Sequence, residues 1–209
     1  MKWHNVEQNS PEWDELKLGQ PGSSAAATFM AHYGKDFGEP AQKLALRYAL
    51  ERVTGRKSEQ NFSNAHMERG HAQEPIAKML YEELHFVEVT NGGYFDHAEW
   101  GDSPDGLVDS DGTVEIKSVI ASVHEATIKR GTFDSAYKWQ IITHFDGTGR
   151  NWVDYASYCA DYPEWDQLVV YRTYRDQVEK ELSMLRERRE QFIELIKTKA
   201  SEINERKAA

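Results

Sequence analysis

The chain has 209 residues, 39% of them hydrophobic and 11% aromatic, and a formal net charge of −10. This length favours one sizeable core. The negative charge argues against a nonspecific nucleic-acid coat protein, which would normally be basic, but does not exclude an enzyme that binds DNA in a local groove. Because Cys159 is the only cysteine and no apolar run approaches the length of about 18 residues that spans a membrane, we expect no intrachain disulfide, no membrane span and a cytoplasmic location.

The first part of the chain is predicted to be mainly helical. Ser10 caps a helix that has Pro11 at its first position and ends at Gly19. Three further helices are predicted over residues 23–32, 40–55 and from 63 or 64 to 84 or 85. In the last of these helices we expect four apolar side chains to face the core, namely Ile76, Met79, Leu80 and Leu84.

Strands are predicted to dominate the second part. They occupy residues 86–90, 94–100, 152–158 and 168–174, and helices occupy residues 122–130 and a segment capped by Asp134. Asp176 is expected to cap a long final helix with an apolar stripe formed by Leu182, Leu185, Phe192, Ile196 and Ile203. This order predicts one α/β or α+β domain over residues 1–209, with a mixed central sheet flanked by helices.

The segment 101–119, GDSPDGLVDSDGTVEIKSV, is predicted to form a β-hairpin. Asp111-Gly112 suits the positive φ values of a tight hairpin loop. The alternation of the second strand places its apolar residues on one face, with Glu115 and Lys117 on the other. The hairpin would therefore bring Asp105 and Glu115 to one end, with the amine of Lys117 beside them.

This grouping of two carboxylates and an amine has a chemical logic. Mg²⁺ binds carboxylate and carbonyl oxygens. A lysine two residues along the strand can hold an attacking water or neutralise charge on a phosphate as the ammonium, or deprotonate the water as the neutral amine. Two other interpretations stay open from the residues alone. The acids could simply be solvated on a surface hairpin, or they could bind calcium, although their spacing does not match an EF-hand.

Two residues outside the hairpin could join such a site. Glu74 lies on the helix that leads into the strands, where a third carboxylate could complete a metal site; a solvated surface position is the alternative. Gln140 shares a helical face with Tyr137 and His144, and its amide could orient a water or a phosphate; a polar rim residue is the alternative. The histidines show no paired metal-ligand spacing, so no metal is assigned to them.

A separate anion site is predicted near the first helices. Ser23 and Ser24 open the second helix, and hydroxyl groups with exposed N–H groups at a helix N-terminus favour anions, the more so with Lys17 nearby. A serine is also a common helix cap, so a purely structural role stays open.

Four segments together resemble the phage lambda exonuclease and YqaJ-type viral recombinase family. They are WDELKLG from Trp13 followed by Ser24, then GHAQE ending at Glu74, then SPDGLVDSDGTVEIK, and then SAYKWQ ending at Gln140, within a stretch from about residue 13 to residue 174. The resemblance implies a PD-(D/E)xK restriction-endonuclease-like fold. It also implies an Mg²⁺-dependent 5′→3′ exonuclease that digests linear double-stranded DNA processively and leaves 3′ overhangs for a single-strand annealing protein in phage-type recombination. A ring-shaped homotrimer in the host-cell cytoplasm is expected on the same basis.

The resemblance also implies roles for individual residues. Asp105, Glu115 and the backbone carbonyl of Ile116 would hold Mg²⁺, with two ions expected and Mn²⁺ as a substitute, and Glu74 would complete the site or bind the second ion. Lys117 would activate the attacking water and Gln140 would position it. The remaining implied roles are 5′-phosphate binding for Lys17 and Ser24 and a wedge between base pairs for Met67.

The chain departs from the lambda enzyme at two of these places. Lys17 stands where that enzyme has arginine, so a bidentate fork becomes a point charge and a weaker preference for phosphorylated ends is expected. Ile142 stands where it has a second glutamine. A PD-(D/E)xK endonuclease and a DNA-binding protein with a decayed site are the alternative functions, and the joint presence of the four site residues Glu74, Asp105, Glu115 and Lys117 argues against decay.

Overall fold

A computed structural model describes residues 1–58 and 65–208, with the side chains of residues 65–68 and 207–208 outside that description. The α-helices in this part of the chain are α1 (Pro11–Leu16), α2 (Ala26–Met30), α3 (Glu39–Thr54), α4 (Ala65–His85), α5 (Ala121–Arg130), α6 (Lys138–Thr148) and α7 (Glu179–Ala208). The strands are β1 (Lys2–His4), β2 (Val89–Asn91), β3 (Tyr94–Asp96), β4 (Gly101–Asp102), β5 (Gly106–Val108), β6 (Gly112–Ser118), β7 (Trp152–Tyr158) and β8 (Leu168–Tyr174). They form a three-stranded sheet in the order β1-β3-β4 and a five-stranded sheet in the order β2-β5-β6-β7-β8.

The five-stranded sheet is mixed, as the sequence predicts. β6 and β7 run parallel with Glu115 opposite Tyr155, and the other neighbouring strands run antiparallel. Parallel neighbours need a long crossover, and here the connection contains α5 and α6. Every residue of β7 is buried, which fits a strand covered on both faces.

The two faces of this sheet pack against different helices. Val153 and Tyr155 of β7 join a core with α2, α3, α6 and α7, while Ala156 on the opposite face joins a second core with α4. The apolar stripe predicted for the long C-terminal helix is confirmed. Its first four members are completely buried and the fifth packs against the first core, in the order Leu182, Leu185, Phe192, Ile196 and Ile203.

Helix α4 is anchored to the sheet by a polar contact. The hydroxyl of Tyr81 donates to Oδ2 of Asp154 at 2.6 Å, and Arg172 donates two hydrogen bonds of 2.8 Å to the same carboxylate. Since residues three and seven positions apart share a helical face, Glu74 points to the same side as Ala77 and Tyr81. This anchoring therefore directs Glu74 towards the sheet.

The apolar face predicted for this helix is wrong. Three of the four residues expected in the core are exposed, with exposed fractions of 44, 49 and 54% for Ile76, Met79 and Leu84. The small side chain of Ala77 lets the helix approach the sheet closely, and the carboxylate of Asp154 satisfies the Tyr81 hydroxyl, so that a polar aromatic residue can be buried.

The predicted hairpin is confirmed, with a different loop from the expected one. β5 and β6 pair with Val108 opposite Gly112, and the residue with positive φ is Asp109, at 48°, rather than Gly112. Gly112 is needed for packing, because a Cβ atom there would lie 2.0 Å from Cζ2 of Trp152.

Several predicted helix ends differ as well. Ser10 caps α1 by accepting from the N–H of Trp13 at 3.2 Å, as predicted. The helix predicted over residues 23–32 is a 3₁₀ turn followed by the five-residue α2, and the final helix begins at Glu179, because Asp176 lies in a 3₁₀ turn. The predicted cap at Ser63 or Asn64 lies outside the described residues. No helix in the described part of the chain is long and apolar enough to cross a membrane.

Candidate active site

A cleft of about 520 Å³ opens beside the β5–β6 hairpin, between α4, α6 and the N-terminal segment. Eight of the residues selected from the sequence line it together: Lys17, Ser24, Glu74, Asp105, Glu115, Ile116, Lys117 and Gln140. Met67 lies on α4 with its side chain outside the described residues, so its wedge role stays a prediction. At Gly70, on the cleft wall, an added Cβ would meet no atom within 4 Å, which leaves room for a ligand.

Asp105 is directed into the cleft by the turn that precedes β5. Its Oδ2 accepts from the backbone N–H of Ile116 at 2.7 Å. Gln8 holds the turn by donating to the carbonyls of Ser103 and Pro104 at 3.2 and 3.1 Å. Burial, followed by the negative charge of Glu115, raises the pKa of Asp105 to about 8. Ionised Asp105 therefore carries a charge that the protein around it does not neutralise.

Glu115 lies deeper, with 1% of its surface exposed. Its Oε1 accepts from the amine of Lys117 and from the amide of Gln140, the latter at 2.6 Å, and its Oε2 lies 2.7 Å from Nε2 of His144. Burial alone would raise the pKa of Glu115, but the charges of Lys117 and His144 outweigh it and lower the pKa to about 2. Glu115 is therefore ionised at neutral pH.

The sequence did not identify two residues of this network, Asp102 and His144. Nδ1 of His144 lies 3.0 Å from both carboxylate oxygens of Asp102, and both side chains are completely buried. Burial alone would lower the pKa of His144, but the two carboxylates outweigh it and raise the pKa to about 10. A signal for His144 was present, because it shares a helical face with Gln140; nothing in the sequence indicated Asp102.

Glu74 and Lys117 complete the charged part of the cleft. Burial and then the charge of Glu115 raise the pKa of Glu74, so these carboxylates are close enough to repel each other. Burial alone would lower the pKa of Lys117, but Glu115 and Asp105 raise it above its ordinary value. Lys117 is therefore cationic at neutral pH and better suited to donating hydrogen bonds than to accepting a proton.

Lys17 also lines the cleft. Its amine lies 3.7 Å from the ring centroid of Trp13, and the Trp13 indole donates to Oγ of Ser103 at 3.0 Å, which links α1 to the turn before Asp105. Burial lowers the pKa of Lys17 to about 8. Ser24 is exposed on the 3₁₀ turn that also faces the cleft. The predicted anion-binding residues thus lie in the same cleft as the acids.

The donor set of the cleft fits a hard divalent cation. Carboxylate oxygens are the ligands that Mg²⁺ prefers, and a cation would offset the burial and the like charges that raise the pKa values of Asp105 and Glu74. Among the side chains that the structure describes, no three His, Cys, Asp or Glu residues are already arranged as a metal site. Oε1 of Glu115 already accepts from Lys117 and Gln140, and Oδ2 of Asp105 accepts from the N–H of Ile116, so a cation would share these oxygens with donors of the protein or replace those donors.

Comparisons with known proteins bear on the family and the fold. The profile of the YqaJ-like viral recombinase domain matches residues 12–151. The crystal structure of an alkaline exonuclease, LHK-Exo from Laribacter hongkongensis, is 29% identical with a TM-score of 0.84, covering 95% of this chain and 98% of that one. The structure of LHK-Exo in complex with dAMP is 30% identical, with the same TM-score and coverage.

A more distant structure shares the fold alone. A phage-related exonuclease from Haemophilus somnus 129PT is 11% identical with a TM-score of 0.68, covering 90% of this chain and 96% of that one. No curated protein sequence matches the chain. The structural matches confirm the predicted PD-(D/E)xK fold, with its mixed sheet and long C-terminal helix.

Proposed function

The chain belongs to the YqaJ-like viral recombinase family, and from this premise we propose that it is a DNA exonuclease with a role in recombination. More specifically, we propose that the enzyme hydrolyses linear double-stranded DNA from 5′ ends with Mg²⁺ and leaves 3′ single strands. The observation that supports this most is a single cleft lined by three carboxylates, a cationic lysine and a second lysine.

The metal would be held by Asp105, Glu115 and the backbone carbonyl of Ile116, with Glu74 completing the site or holding a second ion. When bound, Mg²⁺ polarises the scissile phosphate and stabilises the charge that develops on it, and Mn²⁺ is expected to substitute. The raised pKa of Asp105 supports this assignment, because a buried carboxyl among like charges gains most from a cation.

Lys117 and Gln140 would act on the water and the phosphate. A water oxygen attacks phosphorus and the bond to the 3′ oxygen breaks. The 3′ oxygen takes up a proton from solvent, the 5′-mononucleotide departs, and the shortened strand keeps a new 5′-phosphate. Because the pKa of Lys117 is raised, its ammonium group orients the water and stabilises phosphate charge by donating hydrogen bonds, and the water's proton passes to solvent. The amide of Gln140 lies beside it on Glu115 and can orient the same water.

The 5′ end of the DNA would be recognised in the same cleft. Lys17 and Ser24 would hold the terminal 5′-phosphate, and Met67 would part the first base pair. A mononucleotide product agrees with the dAMP bound to LHK-Exo. We further propose that residues 1–209 act as one exonuclease domain, that three copies encircle the duplex and make digestion processive, and that a single-strand annealing protein takes the 3′ strand.

One experiment tests the proposal and separates its rivals. Linear duplex labelled at the 5′ or the 3′ end, with a 5′-phosphate or a 5′-hydroxyl, is incubated beside closed circular duplex in Mg²⁺ and in EDTA. We expect early release of labelled mononucleotide from 5′ ends only, intact circles and no reaction in EDTA. Cut circles would favour the endonuclease, and no cleavage in Mg²⁺ or Mn²⁺ would favour a decayed site.

A further inference from the structure

The two carboxylate oxygens of Glu115 have different surroundings. Oε1 accepts from Lys117 and Gln140, whose side chains line the cleft. Oε2 lies 2.7 Å from Nε2 of His144, which is completely buried. Donors on the cleft side can exchange for another ligand, whereas the histidine is enclosed by protein.

His144 is itself fixed from behind. Nδ1 lies 3.0 Å from both oxygens of Asp102, which is 1% exposed at the end of β4. A Cβ on Gly147, one turn further along α6, would lie 2.3 Å from Cβ of Asp102, so the helix packs directly against this aspartate. Since both ring nitrogens face carboxylates, both act as donors, and the ring cannot turn without breaking two charge-assisted hydrogen bonds.

We propose that Asp102 and His144 are positioning residues that hold Glu115 by Oε2 and so present Oε1 to a metal ion in the cleft. The inference rests on the proposed function, in which Glu115 is a metal ligand. Neither residue touches the cation or the DNA in this account; they act through Glu115. Partners that orient metal ligands in this way are worth about 10- to 100-fold in metal affinity.

Two substitutions of His144 separate its two contacts. The amide of His144→Gln reaches the place of Nε2 and keeps the donor to Glu115, whereas the shorter amide of His144→Asn reaches only the place of Nδ1 and loses it. Mn²⁺ affinity of the DNA-free protein is measured by calorimetry, and kcat and KM for linear duplex are measured separately. We expect His144→Asn to bind Mn²⁺ about 10- to 100-fold more weakly and to lower kcat without changing KM for DNA, and His144→Gln to recover most of the loss.

The outcomes are distinguishable. Unchanged Mn²⁺ affinity in a folded His144→Asn protein would overturn the inference, as would equal losses in the two variants. If His144→Asn does not fold, Mn²⁺ binding is measured on the nearly isosteric Asp102→Asn variant. Weaker binding would support the inference, and unchanged binding would refute it. Glu115→Gln serves as the control for the premise: if it binds Mn²⁺ and cleaves DNA like the wild type, the proposed function fails rather than the positioning role.

Discussion

Replacing Asp105 by asparagine should stabilise the protein at alkaline pH while removing a metal ligand. The pKa of Asp105 is about 8, against 3.8 for an unperturbed aspartate, chiefly because of burial and then because of Glu115. A folded-state pKa above the unfolded value gives a stabilising contribution that is fully present below about pH 4 and is lost as the pH rises through about 8. At about 1.4 kcal/mol per unit of pKa shift, the loss of unfolding free energy is at most on the order of 5 kcal/mol.

The expected loss is smaller than this ceiling. Asp105 keeps some contact with solvent through the cleft and shares its repulsion with Glu74, so we expect about 2–3 kcal/mol. Asparagine keeps an oxygen that can accept from the N–H of Ile116, so the substitution removes the charge and preserves the hydrogen bond.

The assay is chemical unfolding at pH 5.5 and pH 8.5 in EDTA and in Mg²⁺. In EDTA, the unfolding free energy of the wild type should fall by about 2–3 kcal/mol more than that of Asp105→Asn between the two pH values. Mg²⁺ should stabilise the wild type at pH 8.5 and have little effect on the variant. Asp161→Asn, a matched change at an exposed aspartate, should follow the wild type. An Asp105→Asn protein less stable than the wild type at pH 8.5 in EDTA would refute the reasoning.

Three further substitutions test other parts of the structure. Lys117→Ala should lower cleavage at least about 100-fold with DNA binding retained, while the exposed Lys129→Ala should not; equal rates in an initial-rate assay would remove Lys117 from the mechanism. Because the pKa of Lys17 is lowered to about 8, the preference for 5′-phosphate over 5′-hydroxyl ends should fall between pH 7 and pH 9.5 and persist in Lys17→Arg; a flat ratio of initial rates would contradict this. Gly112→Ala should cost about 2 kcal/mol or more in unfolding free energy, since its Cβ would lie 2.0 Å from Trp152, and a stability equal to that of the wild type would show that the loop yields.

The parts predicted correctly from the sequence are those that local patterns determine. Asp105 and Glu115 are ten residues apart within one hairpin, so strand alternation and the turn residues were enough to bring them together. Lys117 follows by the same alternation. Gln140 was singled out by the family resemblance, and local patterns left a polar rim position open for it. The predicted cap Asp134 accepts from the N–H of Ala136, but it caps a 3₁₀ turn that precedes α6.

The parts missed depend on contacts between distant segments. Asp102 and His144 are 42 residues apart and meet only because α6 packs across β4. The inward face of α4 was predicted wrongly because this helix has more apolar residues than buried ones, so the apolar pattern alone does not show which face lies inward. That choice depends on the contact of Tyr81 with Asp154, 73 residues away. Neither contact leaves a period or a spacing in the sequence.

In the proposed function, the carboxylates of this cleft bind the metal that the enzyme needs to hydrolyse linear DNA. The most direct measurement compares release of 5′-mononucleotides from linear duplex in Mg²⁺ by wild-type and Asp105→Asn protein, after unfolding curves have shown both to be folded. We expect rapid release by the wild type, none in EDTA, and release at least about 100-fold slower by the variant. Release by Asp105→Asn at the wild-type rate would contradict the proposed function.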